Sequence, residues 1–292
     1  MNKAAELLYV SQPSLTSAIQ ELEKELEITL FYRSGKGVTL TNDGEEFLKL
    51  AKQLYSQYEG ILEKYGKGGD LKKKFGVSAQ HYSFAVKAFV EMAKEFDMAE
   101  YEFAIRETRT LEVINDVATL RSEIGVLYLC DFNRQSIKKL LNSNGLGFHH
   151  LIDCRPFVYL SAGHPLAGKE SISFDELAPY PCLSFEQGEL TSFYLAEEIL
   201  ATKEYPRIIK ANDRATMLNL MVGLNGYTLC SGIICEELNG TGYRAVPFKD
   251  EEDFGVMEVG YIIKKNIKLS KVGEKYVRAL ENYLEKVSAD NI

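Results

Sequence analysis

No run of 18 consecutive apolar residues occurs in the 292-residue chain, so no membrane-spanning helix is expected. The opening MNKAAELLYV lacks the charged start, long apolar core and small-residue cleavage site of a secretory signal, which points to a cytoplasmic protein. Cysteine is sparse and unpatterned. The five, Cys130, Cys154, Cys182, Cys230 and Cys235, form no CxxC pair and are odd in number, which fits reduced, packed thiols. Cys230 and Cys235 are near enough in sequence for a redox pair, with core packing the plainer reading. The four histidines, His81, His149, His150 and His164, show neither HExxH nor paired Cys/His spacing, so neither a metal nor another cofactor is expected. There is no GxSxG elbow, no P-loop and no GxGxxG after a strand, which speaks against an enzyme. A surplus of basic residues is missing too. A net charge of -8 and a pI near 5.3 argue against whole-chain attraction to nucleic acid or to an anionic membrane, so any nucleic-acid binding is local.

What is present is ordinary soluble composition, 46% hydrophobic and 26% charged, over a length that suits two or three packed units. Residues 4 to 9 read as a short helix and residues 10 to 12 as a turn. In VSQPSLTSAIQELE, residues 10 to 23, Val10, Leu15, Ala18, Ile19 and Leu22 recur at helical steps, and Pro13 fits only a first turn capped by Ser11 or Gln12. Ser14, Thr16, Ser17 and Gln20 make up the outward face of that helix, which is expected to run to about Glu27. TLFYRSGKGVTLT then alternates about Gly35 and Gly37 as a hairpin, or wing. A third helix starts at Thr41 or Asn42, with Asp43, Glu45 and Glu46 at its positive end. Its residues Phe47, Ala51, Leu54, Tyr58, Ile61 and Tyr65 are spaced alternately by four and three, the period of a coiled-coil seam. That seam fits a second copy of the chain, with packing on its own domain as the alternative.

The glycines and lysines of YGKGGDLKKK break the pattern and mark a linker. Beyond it FGVSA, FAVKAFVEMAKEF, YEFAIRE, TLEVINDVATL and EIGVLYL alternate strand with helix, which predicts an α/β unit with a largely parallel sheet. A second series follows, from FVYLSA through PCLSF, a helix over SFYLAEEILA, RIIKA, a helix over ATMLNLMVG, YTLCSG and YRAVPF. The tail, MEVGYIIKK and a final helix, is expected to return to the first lobe. The expected boundaries are 1–40 for the head, 41–66 for the pairing helix, 67–74 for the linker and 75–292 for two lobes. The first lobe takes 75–151 and 249–292, the second 152–248.

The stretch AAELLYVSQPSLTSAIQELEKELEITLFYRSGKGVTLTNDGEEFL resembles the winged helix-turn-helix of LysR-type transcriptional regulators, and GHPLAGKESISFDELAPYP and MVGLNGYTLCSG are similar to later segments of that family. The resemblance covers essentially the whole chain. It implies α/β architecture behind an N-terminal all-α winged helix-turn-helix, with two α/β lobes like those of type 2 periplasmic binding proteins. The implied partners are double-stranded DNA, a small-molecule effector and a second copy of the chain, as a homodimer through residues 41–66 or a tetramer through the effector domains; no membrane is implied. Ser11, Gln12, Pro13, Ser14, Thr16, Ser17, Gln20, Arg33 and Lys36 would meet DNA. In the cleft the resemblance implies Ser78, Gln80, His81 and Tyr82 after the first strand, Tyr128, the loop residues Gln187, Gly188 and Thr191, and Asn212, Arg214 and Thr216 at a helix start. Helix N-termini and Arg214 favour a carboxylate-bearing or otherwise anionic effector.

This chain departs from the family pattern in three respects. The family carries a further helix ahead of the segment equivalent to Asn2, and without it Ala5, Leu8 and Ile19 are expected to lose a packing partner, from a late start codon or a shortened chain. The reading helix is also poor in arginine, since residues 1–65 hold seven Lys or Arg against ten Asp or Glu. Weak, salt-sensitive DNA binding per head is therefore expected. The family's common LG after the reading helix is Leu26, Glu27 here, a minor change. An effector-binding dimer with impaired DNA binding and a solute-binding protein stand as the alternatives.

Overall fold

The computed structural model describes residues 2–34, 37–65, 73–96, 100–188, 193–199, 203–249 and 255–290. The chain divides into two units, Met1–Leu71 and Lys72–Ile292. Of the expected features, Lys36, Thr191 and most of the linker lie outside the described residues.

In the first unit, α1 (Asn2–Leu7) leads through a tight turn, with Tyr9 at φ +53, into α2 (Gln12–Glu25). Ser11 is the N-cap of α2, its hydroxyl accepting the Ser14 N–H at 3.2 Å, and Pro13 sits in the first turn, where its missing donor costs nothing. Leu15, Ile19 and Leu22 are half-buried, and α2 buries no residue completely. Ala5 is buried, Leu8 exposed and Ile19 half-buried. Strands β1 (Phe31–Ser34) and β2 (Gly37–Leu40) pair antiparallel, from Phe31 opposite Leu40 to Ser34 opposite Gly37.

Helix α3 (Asn42–Tyr65) is tied to this hairpin by Thr41, whose buried hydroxyl accepts the Gly44 N–H at 2.8 Å and donates to the Thr29 carbonyl at 2.5 Å. Gly44 lies so close to the hairpin that a Cβ there would stand 2.1 Å from the Leu30 carbonyl oxygen. Along the rest of α3, Leu50, Leu54, Tyr55, Tyr58, Ile61 and Leu62 are exposed.

The second unit holds two five-stranded sheets. The first is built from β3 (Lys73–Ala79), β4 (Tyr101–Glu107), β5 (Ile124–Leu129), β6 (Leu146–Cys154) and β12 (Met257–Lys264), in the order β4-β3-β5-β12-β6. The three parallel strands are connected by α4 (Ser83–Lys94) and α5 (Thr110–Ala118), and α6 (Arg134–Ser143) leads into β6. The second sheet has β7 (Phe157–Ser161), β8 (Cys182–Phe185), β9 (Ile208–Ala211), β10 (Tyr227–Cys230) and β11 (Tyr243–Pro247), in the order β11-β7-β10-β8-β9. Around it lie α7 (Phe174–Leu177), α8 (Arg214–Leu224) and α9 (Glu236–Asn239), and α10 (Lys271–Asp290) packs on α4 with the Tyr276 hydroxyl donating to the Ala85 carbonyl at 3.2 Å.

In each sheet four strands run one way and one is reversed, β12 against β5 and β6, and β7 against β10 and β11, so the expected largely parallel arrangement stands with one antiparallel strand. Helix α6 and strand β6 were not read from the sequence at all. Two other expectations are corrected here. The first sheet continues past residue 151, since Cys154 still pairs with Met257, so the chain crosses to the second sheet at Arg155 and Pro156 rather than at 151/152. Finally, where SFYLAEEILA predicted a helix, the described residues form only a 3-10 turn, Phe193–Leu195. Carbonyls there are taken by hydroxyls of other elements: Leu195 by Thr110 at 2.7 Å, and Ala196 and Glu198 by Tyr128 at 3.2 and 3.3 Å. Tertiary hydrogen bonds replace the helical ones.

Candidate functional site

The parallel strand β3 ends where the chain must turn into α4, and Gln80 fixes that turn. Its N–H donates to Val126 O at 3.0 Å, its side-chain oxygen accepts from Tyr128 N and the Tyr82 hydroxyl, both at 3.1 Å, and its amide donates to Thr110 Oγ1 at 2.6 Å. Every polar atom of this buried side chain is used. Ser78, also buried, donates to Asp116 Oδ2 at 2.6 Å and contacts the Ser122 hydroxyl at 2.8 Å. Both residues hold the sheet to its helices.

A cavity of about 80 Å³ draws walls from both lobes, with His81 and Tyr82 from the first and Tyr159, Met217, Met221 and Ile233 from the second. The His81 imidazole lies parallel to the Phe185 ring, centroids 3.7 Å apart. Its main-chain N–H donates to Glu197 Oε2 at 3.0 Å, and its Nδ1 stands 2.7 Å from the same oxygen. Glu197 Oε1 accepts the Gln187 amide at 2.9 Å, and Gln187 Oε1 accepts Thr110 N at 3.3 Å. Arg214, at the first position of α8, pairs with Glu107 at the end of β4, an ion pair joining the two lobes.

Burial dominates the electrostatics. The Glu198 carboxyl accepts Phe185 N–H at 2.7 Å, yet desolvation, followed by the charge of Glu197, pushes it up to about 8. Burial also raises Glu107, against the pull of Arg214. The Tyr82 and Tyr128 phenols are pushed well above their ordinary range, chiefly by desolvation. Burial pushes the Cys154 and Cys230 thiols up to about 12, and all five cysteines are free, so the thiolate that disulfide exchange requires is disfavoured at both. Thr228 Oγ1, buried in the cavity wall, has no hydrogen-bond partner.

Of the residues expected in the cleft, the structure brings His81, Tyr82 and Arg214 to the cavity wall. Gln187 stands behind Glu197. Gly188, at φ +84, backs onto Arg109, whose guanidinium a Cβ would meet at 2.8 Å. Tyr128 is core, and Thr216 and Asp213 cap α8 through bonds of 2.9 and 2.7 Å. Asn212 is exposed beside that cap. The sequence reading missed Glu197, Glu198 and Thr228, which no local pattern distinguishes from helix or strand residues.

On the head, Ser11, Gln12, Pro13, Ser14, Ser17 and Gln20 are exposed and Thr16 half-buried. Gln12 Nε2 donates to the Thr16 hydroxyl, which itself donates to Gln12 O, each at 2.9 Å, and the Ser11 and Ser14 hydroxyls lie 2.7 Å apart. Arg33 stands 3.6 Å from Glu23, whose other oxygen accepts the Leu30 and Phe31 N–H groups at 2.8 and 3.0 Å. Part of the wing's positive charge is thus answered within the head. Among the described residues no helix is long and apolar enough to cross a membrane, and no group of three or more His, Cys, Asp or Glu is placed to hold a metal ion.

Two family models match. Residues 1–45 match the bacterial regulatory helix-turn-helix protein, lysR family, and residues 100–286 match the LysR substrate binding domain. Among curated proteins, the HTH-type transcriptional regulator CysL of Bacillus subtilis is 29% identical over 200 residues, 66% of this chain and 62% of CysL. The regulator SsuR of Burkholderia cenocepacia is 22% identical over 84% of this chain and 78% of its own length. The uncharacterized HTH-type transcriptional regulator YbhD of Escherichia coli is 25% identical over 96% and 86%. Among solved structures, a cysteine mutant of Corynebacterium glutamicum OxyR matches with TM-score 0.57 at 20% identity, over 99% of this chain and 89% of that one, which speaks to the fold alone.

Proposed function

The chain belongs to the LysR family of bacterial helix-turn-helix regulators, and on that premise we propose that it is a ligand-responsive transcriptional regulator sensing a small carboxylate in the cleft between its lobes. Double-stranded DNA is met by the exposed face of α2 and by the wing, and two copies pair through α3. The observation that carries the ligand reading is chemical. The cleft already seats one carboxylate, that of Glu197, on a main-chain N–H, an imidazole and an amide, with Arg214 and an unpartnered Thr228 hydroxyl in the same cavity. Methionine and aromatic walls suit a ligand with an apolar body, and the polar groups fix its orientation. The cytoplasm, where a regulator meets DNA, is the compartment this reading requires.

Calorimetric titration of the full chain with a panel of small aliphatic and aromatic carboxylates, together with amines and neutral compounds of similar size, tests the reading. At least one is expected to bind wild type, with affinity reduced about tenfold or more in Arg214→Gln and by a lesser factor in Thr228→Val. A panel in which only amines or neutral compounds bind would contradict the anionic assignment.

A further inference from the structure

Two of the donor groups that the cleft offers an anion are answered by a carboxylate of the chain itself. Arg214 is met by Glu107 and the His81 N–H by Glu197. The two carboxylates are not equally fixed. Glu107 ends β4, held in the parallel ladder opposite Ala79. Glu197 lies in the connection between β8 and β9, where the only regular structure among the described residues is one 3-10 turn. That segment rests on the first lobe through the Thr110 and Tyr128 hydroxyls and a Phe132–Tyr194 ring stack at 4.7 Å. Both oxygens of Glu197 are engaged, and its side chain and that of His81 are 5% and 6% exposed, so this is a desolvated carboxylate receptor rather than a surface ion pair.

We propose that Glu197 is a tethered competitor: its carboxylate occupies the seat that an incoming carboxylate takes, so that binding displaces Glu197 and lifts residues 193–199 off the first lobe. The inference rests on the carboxylate reading of the cleft. It makes the connection between β8 and β9 a built-in antagonist whose release accompanies occupancy.

Hydrogen exchange of the full chain, read in peptides spanning residues 78–84 and 193–199, tests this with acetate as probe and chloride as the ionic-strength control. Glu197→Ala is expected to exchange about tenfold faster than wild type in both peptides, the loss of one or two charge-assisted hydrogen bonds. Acetate, but not chloride, then restores protection around the His81 amide while 193–199 stays fast. The near-isosteric Glu197→Gln, which presents one acceptor oxygen and an amide donor where Glu197 presents two acceptors to three donor groups, is expected to respond in the same direction and guards against a folding defect in the alanine variant. Exchange unchanged in both variants, or no effect of acetate on either, overturns the proposal. Rescue by acetate with no carboxylate metabolite binding wild type or variant would leave the tether standing and remove the carboxylate as effector.

Discussion

Glu198 shows how one side chain sets a pH dependence. In the native state its carboxyl keeps a proton up to about pH 8, because burial and the neighbouring Glu197 oppose its charge. In the unfolded chain it ionises near its ordinary value of 4.5. A raised carboxyl contributes stability that is fully present below the unfolded value and is lost as pH rises through the folded one. The denaturation midpoint of wild type should therefore fall between about pH 5 and pH 8.5, and Glu198→Gln should flatten that decline and be the more stable at its upper end. Parallel declines in the two proteins would show that Glu198 is not the group responsible. The family resemblance pointed to His81, Tyr82 and Arg214, and the fold brings these three to the cavity wall. The resemblance misplaced Ser78, Gln80 and Tyr128, whose polar atoms are spent on partners such as Asp116, Thr110 and Ala196 that lie far along the chain. Pairings of that length leave no trace in local spacing.

Helices and the hairpin carry a different kind of information. The cap of α2 and the start of α3 at Thr41 follow from near-neighbour spacing and could be read directly. What defeated the sequence reading was a stretch whose helical periodicity is overruled by Thr110 and Tyr128, and an antiparallel β12 that arrives from the far end of the chain. Two predictions belong here. Thr41→Ala removes the cap of α3 and the bond to Thr29, and should lower the stability of the head by about 1–2 kcal/mol in chemical denaturation; a change within error would mean that the cap is redundant. Lysine at both Leu54 and Ile61, each more than half exposed, should convert a dimer to monomer in light scattering without loss of helix signal. A dimer that survives both changes places the pairing surface elsewhere.

For the molecule as a whole, net charge and function pull in opposite directions. On the proposed function, a chain of formal charge -8 must bring cations to the phosphates locally, and here one of those on the wing, Arg33, already faces Glu23. On that proposal recognition leans on the hydroxyl and amide side chains of α2, of which Ser14, Ser17 and Gln20 are exposed. Within the second unit, a cavity whose polar wall comes from both lobes is suited to convert a small ligand into a change between lobes, since a ligand acts only through its differential contacts with the two arrangements. The central claim is that the outward face of α2 reads duplex DNA. Fluorescence anisotropy of the full chain on the DNA upstream of its own gene, against scrambled duplex, measures this most directly. Ser17→Ala and Gln20→Ala together should reduce the ratio of specific to non-specific affinity by about tenfold or more, with an unchanged unfolding midpoint and an unchanged steep loss of affinity with salt. An unaltered ratio in the double variant, with wild type still preferring its own upstream DNA, would contradict the account.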